Sequence, residues 1–152
     1  MASPSERLRE LGVTLPGVAA PAGSYVPARR SGSLVFTAGQ LPLVDGSLAA
    51  TGKVGAEVSP DDARGLARIC ALNALAAVDA LVGLDSVSGV VKVVGFVASA
   101  PGFTGQPGVL NGASELFAEV FGDAGKHARA AVGVAELPLG APVEVEIVVE
   151  VT

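Results

Sequence analysis

Tryptophan is absent from this chain of 152 residues, and tyrosine, histidine, cysteine and methionine each occur once. With aromatics at 4%, the core must be built from Val, Leu, Ala and a few Phe, and the chain is poor in stacking platforms for single-stranded nucleic acid. The lone Cys70 permits no internal disulfide, which points to a reducing compartment. One Cys and one His cannot supply a dedicated zinc site within the chain. No run approaches the roughly 18 to 20 uninterrupted apolar residues that a membrane span needs. The opening Met1–Glu10 lacks the basic start and apolar run of a secretory signal, so a cytoplasmic location without membrane partners is expected. Charged residues are 16% of the chain and the net charge is −5. An acidic domain repels a phosphate backbone, which disfavours nucleic acid as a partner. The phosphate-cradling patterns GxGxxG and GxxxxGK[ST] do not occur, and the single His127 has no evident orienting partner for a Ser–His–Asp arrangement.

What the chain does contain is punctuation and periodicity. Twenty glycines and ten prolines argue for many tight turns and against an all-helical bundle. Ser3-Pro4-Ser5-Glu6 has a capping serine, a proline at the first helical position and a Glu three residues after the cap; residues 1–22 read as an N-terminal helical extension. Strands are expected over Tyr25–Ala28 and Ser33–Ala38 with a turn at Arg30–Gly32, followed by a hairpin dipeptide at Asp45–Gly46. Ser59-Pro60-Asp61-Asp62 opens the clearest helix, whose apolar residues from Leu66 to Leu81 recur at helical spacing up to Gly83. Cys70 lies on that apolar stripe and reads as core filler. Val87–Ala98 is a Val-rich strand and Pro101–Gly108 a loop; Leu110, Ala113, Phe117, Val120 and Phe121 trace a second helix ending at Gly122. Ala130–Val134 and the cleanly alternating Val143–Val151 finish the chain. The order β-β-α-β-α-β-β gives an α+β domain, one mixed sheet with two helices available to cover one face.

Chemistry concentrates between His127 and Glu146. Arg129 opens an apolar strand, where a guanidinium is costly unless it meets a carboxylate. Two partners are open to it: a strand carboxylate, Glu144 or Glu146, as scaffold, or the carboxylate of a small substrate. Taken alone, Glu144 and Glu146 read as the solvent face of the last strand, and His127 as a surface residue beside a turn. Tyr25 is either a packing residue or a pocket wall. Gly39-Gln40 either turns the chain or brings backbone amides near a ligand.

These places also carry a family pattern. Tyr25-Val26, then Leu34-Val35-Phe36-Thr37-Ala38-Gly39-Gln40-Leu41-Pro42, resembles the opening strands and "TSGQ-P" turn of the RidA family, also called YjgF. Asn73, Lys92, Phe103, Asn111 and Phe117 fall where that family has its Asn, Lys and "F…N…F" series. His127-Ala128-Arg129, Val132, Val134-Ala135, Leu137-Pro138 and Val143-Glu144-Val145-Glu146 are similar to its C-terminal signature, without a gap. The resemblance runs from about Tyr25 to Val151 and includes the branch labelled endoribonuclease.

The resemblance implies a chorismate-mutase-like fold, a homotrimer with pockets at the subunit interfaces, and no cofactor. It further implies hydrolysis of 2-imino acids or their enamine tautomers to 2-oxo acids and ammonia. Arg129 would grip the carboxylate of the small metabolite and Glu144 would position or activate water. Tyr25, Ala38, Gly39, Asn111 and the backbone carbonyl of Ala131 would surround the substrate. Here Ala38 replaces a serine of the pattern, Ala131 a cysteine and His127 a proline. The lost hydroxyl and thiol favour an alternative, a non-catalytic trimeric metabolite-binding or protective module. A ribonuclease and a chorismate mutase rank lower, the first for the acidic charge and sparse aromatics, the second because few cations cluster near Arg129 to meet two carboxylates.

Overall fold

The computed structural model describes residues 2–152. The chain begins with α1 (Pro4–Glu10), closed by the expected capping box: the Ser3 hydroxyl accepts from the Glu6 amide and the Glu6 carboxylate accepts from the Ser3 amide. Buried Leu8 anchors it; Ser5 donates to Asp85, and the Arg7 guanidinium donates twice to the Glu119 carbonyl.

The first hairpin differs from the sequence expectation. β1 covers Ala28–Ser31 and β2 covers Leu34–Thr37, so the strand lies three residues later than Tyr25–Ala28, and the turn falls at Gly32-Ser33. Arg30 and Ser31, read as turn residues, are strand residues: pairing with Val35 and Leu34 decides their conformation against their modest strand propensity. Tyr25 and Val26 are left outside the sheet and exposed. A small ribbon of β3 (Leu43–Val44) and β4 (Ser47–Leu48) closes around Asp45-Gly46 as the dipeptide predicts, with Asp45 itself at φ 52°.

The long helix α2 (Pro60–Val82) starts where Ser59 accepts from the Asp62 amide and ends at Gly83. By length and composition it could cross a bilayer, but 56% of its most apolar stretch is buried inside the domain. It is the core helix. α3 (Gln106–Phe121) begins earlier than expected: Gln106-Pro107-Gly108, read as loop, forms its first turn, because proline is tolerated where no amide partner is required. Between the helices runs β5 (Val87–Ala98), and β6 (Ala128–Val134) and β7 (Val143–Val151) complete the chain, β6 starting two residues before the expected Ala130.

The sheet order is β1-β2-β7-β5-β6, with β5 and β6 parallel and the other neighbours antiparallel. This is the expected mixed α+β sheet with both helices on one face. Val143, Val145, Ile147, Val149 and Val151 are all at most 3% exposed beneath them. Each such side chain contributes about 1.5–3 kcal/mol of burial. The other face carries Phe36, Lys92, Val94, Phe96, Glu144, Glu146 and Val148, and among the described residues no helix lies over it.

Candidate functional site

Strand alternation divides the candidate residues between two places. Arg129 is in register with Val93, which is wholly buried beneath the helices, so its side chain leans toward α3. Its Nη1 donates to Asn111 Oδ1 at 2.8 Å and to Ser114 Oγ at 3.2 Å, and its Nη2 donates to the Pro107 carbonyl at 3.3 Å. All three acceptors come from α3. Ala131 follows on the same face and packs against the core. β6 is an edge strand, so one row of its backbone amides and carbonyls has no neighbouring strand.

The alternative of a scaffold ion pair is corrected here. Among the described residues Arg129 makes no salt bridge, to Glu144, Glu146 or any other carboxylate. Its positive charge is held by neutral acceptors. A guanidinium has five N–H donors, of which three are taken; the Nε–H and one Nη2–H remain for something else.

Glu144 is in register with Phe96 and points to the open face, opposite to Arg129. It is half-buried rather than fully solvated, so the reading of a plain solvent face is corrected too. Burial raises its pKa above the ordinary 4.5, and the neighbouring charge of Glu146 raises it further. Gly39 lies against it: a Cβ there would run into the Glu144 carboxylate. Gln40 bridges back to Val145 through both its amide (2.8 Å) and its carbonyl (3.0 Å), which fixes the turn beside the carboxylate. Buried Asn73 of α2 donates from Nδ2 to the Leu41 and Leu43 carbonyls at 3.0 and 3.1 Å and holds the rest of that loop. Ala38 continues the strand, its amide donating to the Pro27 carbonyl at 2.8 Å.

Tyr25 is exposed, and its hydroxyl accepts from the Ala22 amide at 2.9 Å. Together with Gly39, Leu41, Leu43 and Leu139 it lines a cavity of about 200 Å³ walled on one side by Ala19–Ala22. Lys92 and Glu146 line a separate cavity of about 240 Å³ on the open face, with Phe36 and Val94. Cys70 is wholly buried with its thiol toward the Val143 carbonyl, and burial pushes its pKa well up. Among the described residues no three His, Cys, Asp or Glu side chains converge as metal ligands.

Ser114 carries no signal in the sequence, and the reading of His127 as a surface residue is corrected. The imidazole is partly buried, edge-on to Phe117 at 5.9 Å between ring centres. Its Nε2 lies 2.8 Å from Ser114 Oγ and its Nδ1 2.6 Å from the Gly125 carbonyl. Spacing puts His127 on the strand face of Arg129 and Ser114 one turn after Asn111 on α3, but it does not report that the two side chains meet.

The molecule is thus a chorismate-mutase-like α+β protein with an unpaired arginine at one edge of the sheet and a partly buried carboxylate on its open face. The chain belongs to the family described as "YjgF/chorismate_mutase-like, putative endoribonuclease", which matches residues 5–151. Protein TCP17 of Trypanosoma cruzi is 47% identical over 145 residues, 94% of this chain and 91% of that one. A crystal structure from Agrobacterium tumefaciens is 46% identical with a TM-score of 0.89, covering 98% of this chain and 92% of its own. The Escherichia coli protein TdcF, solved with bound serine, is 25% identical with a TM-score of 0.63 over 91% of this chain and 96% of that one.

Proposed function

We propose that the protein is a homotrimeric hydrolase that converts 2-imino acids and their enamine tautomers to 2-oxo acids and ammonia. The observation that carries this reading is Arg129, an arginine on an apolar strand with no carboxylate of its own and two donors unspent. That fork suits the carboxylate of a small amino-acid-like metabolite. A relative solved with serine, which carries the same carboxylate beside a nitrogen-bearing carbon, supports the class of ligand.

The chemistry asks little more of the site. An iminium carbon is already electrophilic. Glu144, with its raised pKa, takes a proton from water as the oxygen adds to that carbon. The acid so formed returns the proton to the carbinolamine nitrogen; as the C–N bond then breaks, Glu144 takes the hydroxyl proton, the C=O of the 2-oxo acid forms, and ammonia leaves and carries that proton off as ammonium. Orientation by Arg129 supplies the proximity.

Arg129 and Glu144 lie on opposite faces of one sheet, so they can serve one substrate only if the arginine edge of one copy meets the open face of another. Phe36 and Val132, each 44% exposed, make that open face apolar enough to be covered. In this arrangement Tyr25, Ala38 and Gly39 come with Glu144, and Asn111 and the Ala131 carbonyl come with Arg129.

The test is to generate 2-iminopropanoate in the presence of the protein and follow imine loss. Acceleration well above buffer supports the hydrolase; buffer-rate decay with pyruvate bound tightly supports the non-catalytic binding module that Ala38 and Ala131 favour. The net charge of −5 weighs against ribonuclease activity.

A further inference from the structure

We propose that His127 and Ser114 form a positioning relay that aims Arg129. The inference rests on the reading of Arg129 as a carboxylate clamp but has its own geometry. The Gly125 carbonyl, 2.6 Å from Nδ1, can only accept, so the ring proton must sit on Nδ1. With its one ring hydrogen on Nδ1, the imidazole presents the Nε2 lone pair to Ser114 Oγ at 2.8 Å, and the hydroxyl hydrogen turns toward it. With its hydrogen committed, the Ser114 oxygen turns its lone pairs to the Arg129 Nη1, 3.2 Å away. Every step in the series Arg129 to Ser114 to His127 to Gly125 has one direction of donation. The turn that supplies the carbonyl packs so close to α3 that a Cβ on Gly125 would collide with the Phe117 carbonyl, which makes glycine a requirement there.

The relay removes a freedom. A lone serine hydroxyl can rotate its hydrogen toward the guanidinium and repel it; a hydroxyl held by an imidazole cannot. Asn111, also on Nη1, and Ser114 then fix the guanidinium plane and leave the Nε–H and one Nη2–H unengaged. His127 does not touch the substrate. It acts on Arg129 through Ser114.

The experiment uses the full chain, with pyruvate as the probe ligand. His127→Phe keeps a ring against Phe117 and deletes the acceptor; His127→Gln discards the ring and restores an acceptor. Pyruvate affinity should fall about tenfold in His127→Phe and at least as far in Ser114→Ala, and in the double variant no further than in Ser114→Ala, since His127 acts only through Ser114. His127→Gln should recover most of the loss, which a purely structural ring would not do. Long-range nitrogen NMR of the ligand-free wild type should show the hydrogen on Nδ1. An Nε2–H tautomer, additive losses in the double variant, or wild-type affinity in His127→Phe overturns the relay. If wild type binds no pyruvate while the Nδ1–H tautomer and an Arg129 side-chain resonance that shifts in both variants are seen, the relay stands and the carboxylate reading falls.

Discussion

At Arg129 two demands meet: the strand around it needs apolar residues, and the charge needs partners. Neutral acceptors from α3 satisfy the second without quenching the charge. Arg129→Lys should therefore fail almost as badly as Arg129→Ala, because an ammonium cannot offer two parallel donors. Catalytic efficiency should fall by about 30-fold to several thousand-fold in both. Ligand-free stability should drop by only about 1 kcal/mol, since the abandoned acceptors are neutral and within reach of water. Imine-loss kinetics beside thermal melts of the variants check this; a large loss of stability with unchanged kinetics would make the residue scaffold. Glu144 carries the opposite balance. Its folded pKa lies above the ordinary 4.5, so the folded state binds that proton more tightly than the unfolded chain does. Stability from this group is present below the ordinary value and is lost as pH rises through the raised one. Glu144→Gln should then melt higher than wild type near pH 8, the gain vanishing near pH 4, while turnover is lost and pyruvate affinity stays. Melts across that pH range would show a flat difference if the carboxylate were free in solvent.

Elements show how a loop is made precise enough for a site. The turn beside Glu144 is clamped by Gln40 against β7 and by Asn73 from α2, and neither residue touches a ligand in the proposed arrangement. Asn73→Ala strands two carbonyls of that loop, one of them deeply buried, and should cost about 2–4 kcal/mol of stability in urea titrations. Wild-type stability in this variant would mean that water replaces the amide without cost. The elements were legible in the sequence where local signals were strong. The Ser59-Pro60 start of α2, the turn at Asp45-Gly46 and the alternation of β7 each carry their own physics. The start of α3 and the place of β1 were not, because Pro107 is compatible with loop and first turn alike, and the strand conformation of Arg29 and Arg30 is set by pairing with β2. The candidate site could be read from the sequence as a set of residues and not as a geometry. Arg129, Glu144 and Gly39 were named as candidates from their own positions and Asn111 through the family pattern, but which sheet face Arg129 and Glu144 take depends on register. Ser114 and His127 stayed hidden because their hydrogen bonds join α3 to the start of β6 across a turn, and no spacing rule reports that.

For the whole molecule, the uncovered sheet face decides the rest. Phe36, Phe96, Val94, Val132 and Val148 make one side of the sheet more apolar than a monomer needs, and light scattering should return three times the chain mass of 14.9 kDa. Val132→Asp places a charge on that face and should return the mass of one chain with loss of pyruvate binding. The division of Arg129 and Glu144 between the two faces makes a sharper demand. If each site takes its arginine from one copy and its carboxylate from the next, two dead variants can repair each other. Arg129→Ala and Glu144→Gln, each inactive alone, should regain activity when co-refolded in equal amounts. In randomly assorted trimers about one site in four pairs an intact Arg129 with an intact Glu144, so roughly a quarter of wild-type turnover should return. Mixing folded trimers without exchange should return none, which serves as the control. Co-refolded material of trimer mass that stays as inactive as its parents would mean that the two residues do not share a site, and the hydrolase reading would lose its general base.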